Sequence, residues 1–336
     1  MTIIAAIVIF CLLILSHELG HFLAAKACRV YVDDFSLGMG PKLLKWQGKE
    51  TQYTLRLLPV GGWCKMRGED EHSDDARAFC QRPVWQRILI VAAGPVMNFL
   101  FAIILFIIVF MMIGTYSNEN LVGATEAGSP AEIAGLLPGD RILSLNGVSV
   151  SQWQEISAAV NQGEPGQAVN LVVDREGSRL NIIIQPYFDQ ADNAWRIGVL
   201  PMQIRQNIFT AIGLGVKQSL FFIKELLLAI AQMISGTAPV EVAGPVGIVT
   251  IIGDATSYGI RSLILLTAYL SLNLGLINLF PLPALDGSRI VFLAVEGLRG
   301  KPIDRQKEGM VHFVGLMLLL GLMAVITFND IAKLLS

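Results

Sequence analysis

The sequence predicts a polytopic α-helical membrane protein with four transmembrane helices. A membrane-associated β-hairpin region follows the first helix, and a small extracytoplasmic α+β domain is inserted after the second. Three observations predict this. The 336 residues are 53% hydrophobic and only 15% charged, with a mean hydropathy of +0.58, whereas soluble domains are about a quarter charged. Four apolar stretches, at about 2–25, 88–114, 262–283 and 310–335, reach the roughly 20 residues that a bilayer span needs. The segments between them differ sharply in charge, which sets their side of the membrane.

The first stretch is an apolar run with no basic residue ahead of it and no small-residue cleavage site, so it reads as a retained helix and not a removed leader. The segment Lys26 to Arg87 carries eleven Lys or Arg, and Arg289 to Lys307 carries five more. The long segment 115–260 carries seven basic residues against thirteen acidic ones. Four spans place both basic segments in the cytoplasm and the acidic one outside. A fifth span at 206–234 would put the loop 289–307 outside, and Lys217, Lys224 and Glu225 interrupt that stretch. It is therefore expected to lie on the outer membrane surface as an amphipathic helix.

The chain accordingly divides into six parts. Residues 1–27 form the first span, 28–87 a cytoplasmic-side β region, and 88–114 the second span. Residues 115–203 form the α+β domain, 204–261 amphipathic surface helices and a linker, and 262–336 the third and fourth spans. In the β region "TQYTLRLLPVGGWCKM" alternates like a strand hairpin kinked at Gly61-Gly62. In the inserted domain Ser129-Pro130 starts a short helix, Pro138-Gly139-Asp140 makes a turn, and "RILSLNG" is a strand entering an Asn-Gly turn.

The composition excludes other classes. A net charge of −2 with no basic face argues against a nucleic-acid partner. Cys11, Cys28, Cys64 and Cys80 form no CxxC pair, which argues against a disulfide framework or a cysteine zinc site.

The chemistry sits in "SHELGH" within the first span. Ionisable side chains at membrane depth are costly and mark function. His17 and His21 are four residues apart, so a helix presents both imidazoles on one face. That is the H-E-x-x-H spacing that chelates zinc, with Glu18 as general base. A catalytic zinc needs a third protein ligand and an open position. His72 lies in the acidic run "GEDEHSDDAR" and His312 opens the last span. Asp286, in "NLFPLPALDG" at the end of the third span, is the better choice. Pro281 and Pro283 break the helix before it, and bent backbone at that depth must line protein or a cavity. On the four-span topology His17 and Asp286 both fall near the cytoplasmic face, so the site can assemble.

Together, HELGH, "FSLGMGPKLL", "LPVGGWCKMRGED", "AGPVMNFLFA", one PDZ-like segment, "GPVGI" and "NLFPLPALDG" resemble the site-2 protease family, in its bacterial RseP-type branch of intramembrane zinc metalloproteases. The resemblance runs nearly the whole chain, in order. It implies one catalytic Zn2+ held by His17, His21 and Asp286, with Glu18 as base. It implies that Asn278 and Asn273 bind substrate, and that the strand at Gly61-Gly62 presents an edge to extended peptide. It implies substrates that are single-pass membrane proteins already trimmed once, such as anti-sigma factors, or remnant signal peptides, and a home in the bacterial inner membrane. Asn98 is expected to join a polar interior or a packing contact. Two competitors stay open: a non-catalytic adaptor using the PDZ-like domain, and a CAAX-type protease with a Glu as third ligand.

Overall fold

The computed structural model describes residues 2–69, 71, 73–162, 167–190, 193–237 and 244–335. Among the described residues it has the predicted architecture: four helices long and apolar enough to cross a membrane, a β region and an α+β insert. The chain forms two units, one made of Met1–Val109 with Phe209–Ser336, the other of Phe110–Ile208.

In the first unit, helix α1 (Thr2–Ala27) leads into strands β1 (Val32–Gln47) and β2 (Gln52–Met66), then α2 (Val84–Met112). The sheet is more folded than a hairpin. Asp34 to Leu37 of β1 pair on one side with Gln52 to Leu55 and on the other with Gly62 to Lys65. Gln52 to Leu55 pair in turn with Leu44 to Gln47. Both strands therefore double back, at Gly38 and Gly40 (φ 87° and 85°) and at Gly61 (φ 77°), in conformations that suit glycine. The expected free edge at 52–66 narrows as a result: 52–55 is paired on both sides, and 62–66 forms the outer edge. Glu50 anchors the sheet's turn. The Arg77 guanidinium and the Lys26 ammonium, 2.8 and 3.0 Å away, hold its carboxyl down at about 2.

The second unit opens with β3 (Thr115–Tyr116), β4 (Val122–Thr125) and α3 (Pro130–Ile133). It continues through β5 (Arg141–Leu145), β6 (Val148–Ser149), α4 (Trp153–Gln162), β7 (Val169–Arg175) and β8 (Ser178–Ile184). It closes with β9 (Tyr187–Asp189), β10 (Ala194–Arg196), β11 (Val199–Pro201) and β12 (Gln203–Ile204). Ser129 caps α3 by accepting from the Glu132 N–H, and Asn146-Gly147 turns β5 into β6 with both φ positive. Strands β6, β5, β7 and β8 form one antiparallel sheet around Ile142, Leu145, Leu171, Val173 and Ile184.

The first unit resumes with α5 (Ile208–Ser235), α6 (Pro245–Ser257), α7 (Ile260–Leu279), α8 (Asp286–Arg299) and α9 (Arg305–Leu335). The stretch expected to lie on the membrane surface is α5, which is not among the four span-like helices and packs one stripe against α2 and α7. Gly215 approaches Ile103 and Phe106 of α2, and the Phe222 ring packs tilted against Tyr269 of α7, with centroids 4.7 Å apart. Small residues at Ala211, Gly215 and Ser219 form that buried stripe and permit close helix approach. Its charges sit at its other positions.

Among the described residues, two hydrophobic clusters join the first three spans. One joins α1 (Ala6, Ile9, Leu13) to Ile252 of α6 and the leucines of α7. The other joins the end of α1, both strands, the start of α2 and Leu293 of α8. The site lies between these two cores.

Candidate active site and metal centre

Helix α1 carries His17, Glu18 and His21, and its HExxH spacing puts both rings on the face towards α2. Asp286 arrives by a different route. Helix α7 ends at Leu279 because Pro281 disfavours helix at the residue before it, and Phe280 is extended (ψ 144°). The chain bends through Ala284 (φ 71°), and Asp286 then opens α8. Gly287 lets the bend fold back. A Cβ there would collide with the Leu279 and Phe280 carbonyl oxygens.

His17 Nε2 is 3.1 Å from Asp286 Oδ2, His21 Nε2 is 3.4 Å from the same oxygen, and the two Nε2 atoms are 3.2 Å apart. A tetrahedral ion with bonds of about 2.0–2.1 Å needs donor separations of about 3.3–3.4 Å. The triangle therefore fits zinc. Two further features support the fit. Among the described residues Asp286 Oδ2 is buried with no hydrogen-bond partner, which leaves the oxygen available to an ion in the triangle. His21 Nδ1 lies 2.9 Å from the Ile90 carbonyl, which accepts only if Nδ1 carries the proton, leaving the Nε2 lone pair free.

Sequence reasoning singled out Asn98 on α2 but missed Ile90 and Gly94. Ile90, Gly94 and Asn98 follow one another at four-residue intervals and form one stripe behind the histidines. Ile90 orients His21. At Gly94 a Cβ would meet His21 Nε2 and lie 2.9 Å from His17 Cε1, so only glycine leaves the rings room. The fully buried Asn98 amide reaches His17 Nδ1 at 3.4 Å. A Gly-Pro pair and an asparagine inside an apolar run were the available signal.

A cavity of about 320 Å³ opens in front of the triangle, bounded by His17, Glu18, His21, Asp286, Arg289 and the β2 segment from Gly62 to Met66. Gly62 packs on Glu18, since a Cβ there would stand 3.0 Å from Glu18 Cγ. Gly61 is the bend just before it. Arg289 Nη1 donates to Glu69 Oε1 at 2.5 Å, and Glu69 also accepts from the Met66 N–H at 3.3 Å. That pair ties α8 to the end of the edge segment. A second cavity of about 740 Å³ lies beyond it, reaching Arg87, Glu296 and His312.

Of the expected residues, the structure brings His17, Glu18, His21, Asp286 and Gly62 together. Asn273 and Asn278 lie half-buried on α7, outside the residues that line either cavity. His312 stands outside the triangle, and its Nδ1 accepts the Ala284 N–H at 3.0 Å. His72 lies outside the described residues.

A family model for peptidase family M50 matches residues 5–322. The chain belongs to peptidase family M50. It is a zinc metalloprotease and a multi-pass membrane protein. A Clostridium acetobutylicum relative is 39% identical over 333 residues, covering 98% of this chain and 97% of its own. Zinc metalloprotease RasP of Geobacillus kaustophilus is 32% identical over 415 residues (99% of this chain, 98% of its own). The regulator of sigma-W protease RasP of Bacillus subtilis is 32% identical over 418 residues (99% and 99%). Among solved structures, the PDZ domain of an SdrC-like protein of Listeria monocytogenes is similar to 25% of this M50 chain. That match has 21% identity, covers 87% of the Listeria chain, and has a TM-score of 0.22.

Proposed function

We propose that this M50 protease is an intramembrane endopeptidase, cutting single-pass membrane proteins in or beside their spanning segments. The observation that carries the reading is the triangle of His17 Nε2, His21 Nε2 and Asp286 Oδ2, with Glu18 in the same cavity, the histidines and Glu18 lying on one helix of membrane-spanning length and Asp286 just past the end of another. Zinc, when bound, lowers the pKa of a ligated water to about 7 and polarises a carbonyl. The chain supplies the rest. Glu18 is committed to no hydrogen bond or ion pair among the described residues, so its carboxylate is free to take the attacking water's proton and return it to the leaving nitrogen. The edge at Gly62–Met66 receives an unwound substrate as an added strand, offering backbone groups that the lipid cannot. Asn278 and Asn273 keep the substrate-binding role that the family resemblance implies, on the helix leading to Asp286.

The charge distribution supports a site near the cytoplasmic face of a bacterial inner membrane, with the PDZ-like unit outside. The family resemblance, beside a relative that is a regulator of sigma-W protease, points to the substrate class: anti-sigma factors trimmed by a first protease. Remnant signal peptides share the same single-span chemistry.

The test is Glu18→Gln against a single-span reporter co-expressed in membranes. Removing the base should lower cleavage at least about 100-fold while zinc content stays at one per chain. Equal processing by both proteins would return the chain to the adaptor reading. Zinc content unchanged in Asp286→Ala would move the third ligand elsewhere.

A further inference from the structure

Asn98 sits in the middle of α2, fully buried, where a side-chain amide in an apolar helix must find partners. Its two terminal atoms touch two groups. One is 3.4 Å from His17 Nδ1 and the other is 2.5 Å from Ser16 Oγ, while Ser16 Oγ also lies 2.9 Å from the Leu13 carbonyl. Which terminal atom is oxygen is decided by the network.

With nitrogen towards His17, two difficulties arise. A His17 that offers Nε2 to a metal carries its proton on Nδ1, so two donors would face each other. The single Ser16 hydroxyl hydrogen would also have to serve both the Leu13 carbonyl and the Asn98 oxygen. Turning the amide over removes both. The Asn98 oxygen then accepts from His17 Nδ1–H, the Asn98 nitrogen donates to Ser16 Oγ, and Ser16 donates to the Leu13 carbonyl. His17 Nδ1–H, one Asn98 N–H and the Ser16 O–H then each face one acceptor, and the chain of bonds ends on α1's own backbone.

We propose that Asn98 is a positioning residue for His17: its side-chain oxygen holds the Nδ1 proton and thereby commits Nε2 to the metal, with Ser16 fixing which way the amide points. The proposal rests on the metal site assigned above. It makes the two histidines parallel cases, since the Ile90 carbonyl does for His21 what the Asn98 oxygen does for His17. Both acceptors come from α2. The Asn98 backbone carbonyl, which accepts from Ser271 Oγ at 2.8 Å, further ties this turn of α2 to α7.

The experiment is zinc affinity of the full chain in detergent, by competition with a chromophoric chelator, for wild type, His17→Ala, Asn98→Leu, Asn98→Asp and Ser16→Ala. Each variant is first checked for monodisperse elution and wild-type helicity. An outer-shell partner of this kind is worth about 10–100-fold in metal affinity. Asn98→Leu, similar in volume, should weaken zinc by that factor. Asn98→Asp keeps an oxygen acceptor and should stay within about 3-fold of wild type. Ser16→Ala unpins the amide and should weaken zinc by a few fold.

Wild-type affinity in Asn98→Leu beside loss in His17→Ala would overturn the proposal and leave the site standing. So would Asn98→Asp as weak as Asn98→Leu, since volume and not the acceptor would then matter. Unchanged affinity in His17→Ala would instead sink the metal site itself. Should Asn98→Leu not fold, Asn98→Asp and Ser16→Ala decide alone: weakening of Asn98→Asp by more than about 10-fold, or no change in Ser16→Ala, overturns it.

Discussion

The backbone N–H of Ala284 donates to Nδ1 of His312 at 3.0 Å, joining α9 to the bend that delivers Asp286. Ala284 is left-handed at φ 71°, which costs a non-glycine residue about 1–2 kcal/mol. His312, also packed on Phe292 at 5.7 Å, helps to hold it there. His312→Ala should therefore loosen the metal site without removing a ligand, weakening zinc about 10-fold by the same chelator competition. Adding Ala284→Gly, which removes the strain, should recover part of that loss. A single variant indistinguishable from wild type would show that the bend holds itself.

The same bend makes a sharper prediction at Gly287. The clash of a Cβ with two carbonyl oxygens cannot be relieved by a rotamer change, because backbone lies on both sides. Gly287→Ala should displace Asp286 by a good fraction of an ångström and lower cleavage by about 100-fold. Helix content by circular dichroism should not change. Full activity in this variant would mean that α8 can slide along α7.

The spans and the candidate triad of His17, His21 and Asp286 were legible in the sequence because each rests on a signal stronger than its surroundings. Twenty apolar residues have few other homes, and His17, Glu18 and Asp286 are anomalies at that depth. The sheet was only half legible. Alternation along 52–66 shows a strand, but nothing local says that residues 52–55 and 62–65 would flank the same four residues of β1. That pairing is set by the bends at Gly38, Gly40 and Gly61, and a glycine in sequence does not announce the sign of its φ. Helix α5 was half legible for a related reason. Lys217, Lys224 and Glu225 argued for a surface helix, while the stripe Ala211, Gly215 and Ser219 that packs on the spans carries no hydrophobic signal. The stripe on α2 behind the histidines was hidden too, since its first member acts through a backbone carbonyl.

Arg289 and Glu69 give a prediction about substrate. Their ion pair spans from the helix of Asp286 to the residue that caps the edge segment, and Glu69 is mostly buried, so removing the cation leaves a charge short of its partner. Arg289→Met should lower kcat/KM about 10-fold through misplacement of the edge, with zinc affinity retained. Glu69→Gln combined with Arg289→Met should be less impaired than Arg289→Met alone, the mark of a coupled pair. Additive losses would show that the two residues act separately.

The last prediction concerns the inserted unit and acid. Asp140 lies in its core with a side chain 1% exposed, and Arg175 meets both its carboxylate oxygens at 2.7 Å. Burial pushes the Asp140 carboxyl up, but the Arg175 guanidinium and the Leu137 N–H outweigh it and hold it below its ordinary value. A carboxylate with a depressed folded-state pKa contributes its stability fully above the unfolded value of about 3.9, and loses it as pH falls through the folded value. Asp140→Asn should thus cost about 2–3 kcal/mol at neutral pH by stranding a partly exposed Arg175. The gap to wild type should stay constant from about pH 5 to 8 and close only below about pH 4. The measurement is the urea midpoint of the full chain read by pulsed hydrogen exchange on β7. A gap that already closed between pH 6 and 7 would assign the stabilisation to a group other than Asp140.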